Sequence, residues 1–194
     1  MDNYLTFIKL FFKDNKKYIF ASFFVFILWI LLYLFTPIDE NIKKTLIQQT
    51  IEYVQTIMTT NSFELFMKIF FNNAFIWLLI VLSGFLLSVL WVFFVFSNIF
   101  IVWLVLTISI EKVWLYHSLL AILPHWILEI TAVLLSLALS FKITNLVVKK
   151  IWNWKTVKIW WELRKTLLFF GWFVLPLFLV AGAIESFITP LFLK

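Results

Sequence analysis

A histidine and a glutamate stand four residues apart, His125 and Glu129, inside a stretch from Leu123 to Ile143 that is otherwise apolar enough to enter a bilayer. In a helix that spacing puts both side chains on one face. An imidazole beside a carboxylate can pass a proton, hold a cation or lock two helices together. At membrane depth such groups need a partner or a watery cavity. The spacing is His-x-x-x-Glu with no second histidine on the same segment, and the other histidine, His117, precedes Pro124. The helical metalloprotease signature is therefore absent, and neither a metal nor another cofactor is expected. Two further features can serve the pair: a second carboxylate, Glu185, between Gly182 and Ser186, and an adjacent amide pair, Asn72 and Asn73. The bland reading of that amide pair is a helix cap.

The elements that must position these residues are membrane helices. Of the 194 residues 64% are hydrophobic and 13% charged, with the charges grouped between long apolar runs, which excludes a soluble globular domain. There is no cysteine, hence no disulfide, thiolate nucleophile or zinc–thiolate site. Glycine-rich phosphate loops and serine elbows are missing too, so the chain is read as a non-enzyme. A net charge of +6 in so apolar a chain marks a cytoplasmic face and contacts with anionic lipid, not nucleic acid. The first apolar run has no small-residue cleavage pattern after it and is expected to stay as a signal anchor.

In chain order, residues 2–17 alternate aromatics with Lys9, Lys13, Lys16 and Lys17, as an interfacial basic helix does. A first span follows at about 18–36 and Pro37 ends it. The segment 37–71 is mixed: Ile47, Ile51, Val54 and Met58 recur at helical spacing opposite Lys44, Gln48, Glu52 and Gln55, which predicts an amphipathic helix on the membrane surface. Thr59 to Ser62 is a break able to cap a new helix. From Ala74 to Ile110 no residue is charged; these 37 positions give spans at about 72–94 and 97–115 with a turn at Ser97 and Asn98. Pro124, well suited to the first turn of a helix, opens a fourth span at about 122–142. The basic, tryptophan-rich segment 143–166 reads as a surface helix, and a fifth span covers about 167–188 with a kink expected near Pro176.

Lysine and arginine set the orientation. Four fall in the N-terminal segment and seven between 142 and 166, whereas 37–71 has three against four acids. Both basic segments are assigned to the cytoplasm. The expected fold is an all-α integral membrane protein, a five-span helical bundle with its N-terminus inside, its C-terminus outside and interfacial amphipathic helices. Helix directions then bring Asn72, Asn73, His125, Glu129 and Glu185 to one level near the outer leaflet.

The chain resembles the stage II sporulation protein M family in three marks along nearly its whole length: Asn72-Asn73, Pro124-His125 with Glu129, and Ala-Gly-Ala-Ile-Glu-Ser-Phe-Ile-Thr-Pro at 181–190. Where that pattern has glycine after the histidine and after the asparagine of the third span, this chain has Trp126 and Ile99, the mark of a divergent member. The resemblance implies a polytopic protein of the cell membrane that, in endospore formers, holds peptidoglycan-cutting enzymes at the septum; many relatives belong to organisms that form no spores. The leading expectation is a non-enzymatic scaffold or subunit of an envelope assembly. Its partners would be the lipid bilayer, other membrane or envelope proteins, and a second copy in a homo-oligomer. The rivals are a small transporter or channel component in which His125, Glu129 and Glu185 are protonatable, and, more remotely, an intramembrane enzyme.

Overall fold

The computed structural model describes residues 2–35, 61–88, 115–152 and 158–192, with single positions between 41 and 52. Among them all regular structure is helical: α1 (Asp2–Phe35), α2 (Ser62–Leu82), α3 (Leu115–Trp152), α4 (Ile159–Phe169), α5 (Leu175–Ala183) and α6 (Thr189–Phe192). The last three are joined end to end by π-helical segments at Phe170–Val174 and Ile184–Ile188, so Ile159–Leu191 forms one rod of 33 residues. Among the described residues three stretches are long and apolar enough to cross a membrane: Ser62–Leu86, Pro124–Trp152 and Ile159–Leu191.

α3 is the central element, touching α1, α2 and the C-terminal rod. Half of its apolar window (50%) is buried, against 28% and 33% in the other two. The reason is in its composition. From Leu135 to Ser140 every residue is buried, and alanine and serine alternate with leucine, so neighbours approach closely all round it. α1 offers α3 a single stripe, Ile8, Phe11, Asn15 and Ser22. The polar members of that stripe satisfy themselves on their own helix, Asn15 donating to the Phe11 carbonyl (2.8 Å) and Ser22 to that of Ile19 (2.8 Å). Phe11 stacks on Phe169 with ring centroids 4.0 Å apart, which ties α1 to α4.

Two prolines explain the π segments. A proline cannot donate to the carbonyl four residues back, and each π segment ends two residues before one, Pro176 or Pro190. Wider i→i+5 bonding absorbs the misfit without breaking the rod. The carbonyl that Pro176 leaves behind, that of Trp172, accepts instead from the Tyr4 hydroxyl at 2.9 Å. The irregularity expected near Pro176 takes this form.

Several expected boundaries are corrected. Residues 2–35 form one continuous helix, because nothing between the basic half and the apolar half breaks it. The second apolar helix begins at Ser62, capped by Asn61, whose side chain accepts from the Phe63 amide at 2.8 Å, and not at Asn72. It also stops short of 94: Ser83–Leu86 tightens to a 3₁₀ turn, and Leu87 and Ser88 take left-handed φ of 55° and 57°. Pro124 lies inside α3, which starts at Leu115. The segment 143–166 is no separate surface helix: 143–152 completes α3 and 159–166 opens the rod. The turn at Ser97 and Asn98, the 97–114 part of the third span and most of 37–60, including the apolar face of the amphipathic helix, lie outside the described residues. Asn41, Lys44, Thr45, Gln48, Gln49 and Glu52 are described, and they are helical and exposed.

The early end of α2 has a physical cause. Left-handed φ costs a residue with a Cβ about 1–2 kcal/mol, and Ser88 recovers this through its hydroxyl, which bonds Ser140 (2.9 Å) and Thr144 (2.6 Å) on α3. Thr144 also donates to the Gly84 carbonyl at 3.0 Å. Gly84 permits the approach, since a Cβ there would fall 2.5 Å from the Ser140 carbonyl oxygen and 2.6 Å from Ile143 Cβ. Gly84→Ala should therefore destabilise the fold by about 1–3 kcal/mol. Gly171→Ala, with nothing within 4 Å of its new methyl, should leave the thermal midpoint in detergent unchanged or slightly raised.

Candidate functional site: an intramembrane polar cluster

The buried stripe of α2 runs through Leu65, Trp77, Ile80 and Val81. Asn73 is four residues before Trp77 and eight after Leu65, so it falls on that stripe; Asn72 is rotated about 100° away and is exposed. One amide of the pair thus enters the bundle. Its Nδ2 donates to Glu129 Oε1 at 2.9 Å, a bond between α2 and α3. Neither asparagine caps a helix; each lies within α2, Asn73 about 16 Å along it from Ser62.

His125, one turn before Glu129, is buried at 5% exposure. Its Nδ1 lies 3.4 Å from Thr189 Oγ1, at the start of α6. Glu185 stands one turn before Thr189 in the second π segment, which packs against α2 and α3. Beside it, Ser186 is fully buried, and its hydroxyl has no hydrogen-bond partner among the described residues. Of the expected residues, then, Asn73 and Glu129 meet directly, His125 meets the rod at Thr189, Glu185 lies on the π segment packed against α2 and α3, and Asn72 is exposed.

Thr189 and Ser186 escaped the sequence reading. Thr189 had a usable signal, since it follows Glu185 by four residues and a helix puts both on one face. Ser186 had none, because only the wider π geometry distinguishes it from an ordinary small residue in a membrane helix. Among the described residues no group of three or more metal-ligating side chains comes together. The arrangement pairs Asn73 with Glu129 and His125 with Thr189 between the helices, with Glu185 and Ser186 on the adjoining π segment.

A helical membrane protein with hydrogen-bonded acids between its apolar helices is the class that this geometry defines. The family model described as Stage II sporulation protein M matches residues 18–190, and the chain belongs to that family. No curated protein and no solved structure matches the chain. The family is not known as one of enzymes.

If the Asn73–Glu129 bond holds α2 on α3, removing the amide leaves a buried carboxyl short of a donor, at a cost of about 1–3 kcal/mol. Asn73→Ala should lower the thermal midpoint of the detergent-solubilised protein, and Asn72→Ala should not. In a double-mutant cycle, Asn73→Ala and Glu129→Ala should be non-additive by about 0.5–3 kcal/mol.

Proposed function

We propose that the chain is a non-enzymatic, multi-pass scaffold or subunit of an envelope-associated assembly in the cell membrane, with five spans, N-terminus inside and C-terminus outside. In this reading the polar cluster is a lock. The hydrogen bond from Asn73 to Glu129 carries the proposal, because it joins residues 56 apart in sequence and would fix α2 and α3 in one register. His125 and Thr189 would do the same for α3 and the rod. Family membership and the membrane-length helices support the membrane assignment. The exposed aromatic and aliphatic side chains of α1, among them Phe20, Phe23 and Phe24, offer surface to lipid, to another envelope protein or to a second copy of the chain.

A second reading, a transporter or channel component with a protonatable His/Glu site, is favoured by one observation: Glu185 and the unpartnered Ser186 hydroxyl share a π segment, a feature that recurs at functional sites. Charge-removing substitutions separate the two. Under the lock reading, Glu129→Gln with Glu185→Gln reduces the amount of folded protein recovered from membranes, and wild-type proteoliposomes carry no proton or cation flux above empty vesicles. Normal folding of the double variant, with loss of a flux that the wild type supports, would overturn it.

A further inference from the structure

The opposite end of α3 carries a second polar site, unconnected to the carboxyl cluster. A cavity of about 360 Å³ opens between α1, α3 and α4. Its wall bears four lysines, Lys17, Lys142, Lys149 and Lys165, against two acids, Asp14 and Glu162. Glu162 is already spoken for: its carboxylate meets Lys142 Nζ at 3.1 Å and Lys165 Nζ at 3.0 Å. Lys142 is buried, and its ammonium also sits 4.7 Å above the centre of the Phe11 ring, which fixes it as the floor of the cavity.

At the rim, Lys17 and Lys149 are exposed. Between them Asn145 donates its amide hydrogen to the Tyr18 phenol oxygen, so the phenol proton is directed elsewhere and remains available to an acceptor. The rim therefore presents two ammonium groups and an O–H donor to an anion. Phe7, Leu10, Phe11 and Leu146 give the cavity an apolar wall. Trp152, Trp160 and Trp161 are exposed on the adjoining ends of α3 and α4, where indoles mark the headgroup level of a bilayer.

We infer that this cavity binds the headgroup of an anionic phospholipid, with Lys17, Lys149 and Tyr18 holding the phosphate and the apolar wall taking the glycerol and the first methylenes. Charge complementarity selects an anion, and basic pockets between membrane helices recognise such headgroups. A lipid fits better than a free phosphate because the apolar wall of Phe7, Leu10, Phe11 and Leu146 has nothing to offer a small hydrated ion, and exposed indoles stand beside the cavity.

The test uses the full chain in detergent, titrated with phosphatidylglycerol or phosphatidylcholine and read by native mass spectrometry and thermal midpoint. Phosphatidylglycerol should give a retained one-to-one adduct and a raised midpoint, and phosphatidylcholine neither. Lys17→Gln and Lys149→Gln should each weaken the adduct about fivefold and together about thirtyfold, one headgroup contact per lysine. Lys9→Gln with Lys13→Gln, an equal loss of charge outside the cavity, should change it less than twofold. Asp14→Asn should tighten it. The inference is overturned if the two double variants weaken binding equally, which would mean diffuse attraction, if phosphatidylcholine binds as well, or if glycerol 3-phosphate at equal concentration displaces the lipid, which would mean a soluble phosphate ligand.

Discussion

Hydrocarbon offers no hydrogen bonds, so each polar side chain that α3 carries into the bilayer needs a partner within the protein, on its own helix, as Ser136 has in the Ala132 carbonyl, or on a neighbouring element. The contacts with neighbouring elements fall at two levels. Glu129 meets Asn73 at one; about three turns further on, Ser140 and Thr144 meet Ser88 and Lys142, between them in sequence, meets Glu162. Glu129 and Ser140 are 11 residues apart, about 16 Å along the axis, so the contacts are well separated and together define the register of α2 and the rod on α3. Lipid tails are as apolar as the leucines between these levels, which makes polar contacts and close packing the terms that specify one arrangement.

Close packing does the remainder. Gly84 lets the backbone of the α2 turn lie against Ser140 and Ile143, and the aromatic group of Phe11, Phe12, Phe169 and Phe173 brings α1 onto the rod. The two π segments show a different accommodation. Each proline removes one donor, and the rod widens locally to keep its carbonyls bonded. The second widening falls at Glu185, so backbone irregularity and buried carboxyl share one place.

The two ends of α3 differ in chemical character. At one end Asn73 pairs with Glu129 and His125 with Thr189 between helices, which suits a lock. At the other, basic residues from both lysine-rich segments, 9–17 and 142–166, surround a cavity beside exposed indoles. That meeting accords with a common side for both segments and with a headgroup-level position for the cavity.

Composition and periodicity alone determined that this is a helical membrane protein and that His125, Glu129 and Glu185 are its costly residues. These properties are local sums of transfer free energy and charge, and they survive ignorance of the fold. Helix ends did not follow from the same sums. The break at Thr59 to Ser62 did mark the start of α2, with Asn61 as its cap, whereas the cap read at Asn72 and the start read at Pro124 fall inside α2 and α3, and α2 ends at Ser83 where α3 packs against it. A lone Ser83-Gly84 in an apolar run looks innocuous until Ser140 and Thr144 stand opposite it. The structure likewise decided which asparagine enters the bundle, that Thr189 meets His125, and that Lys142 and Glu162 line a cavity, because each of these depends on which helix lies beside which.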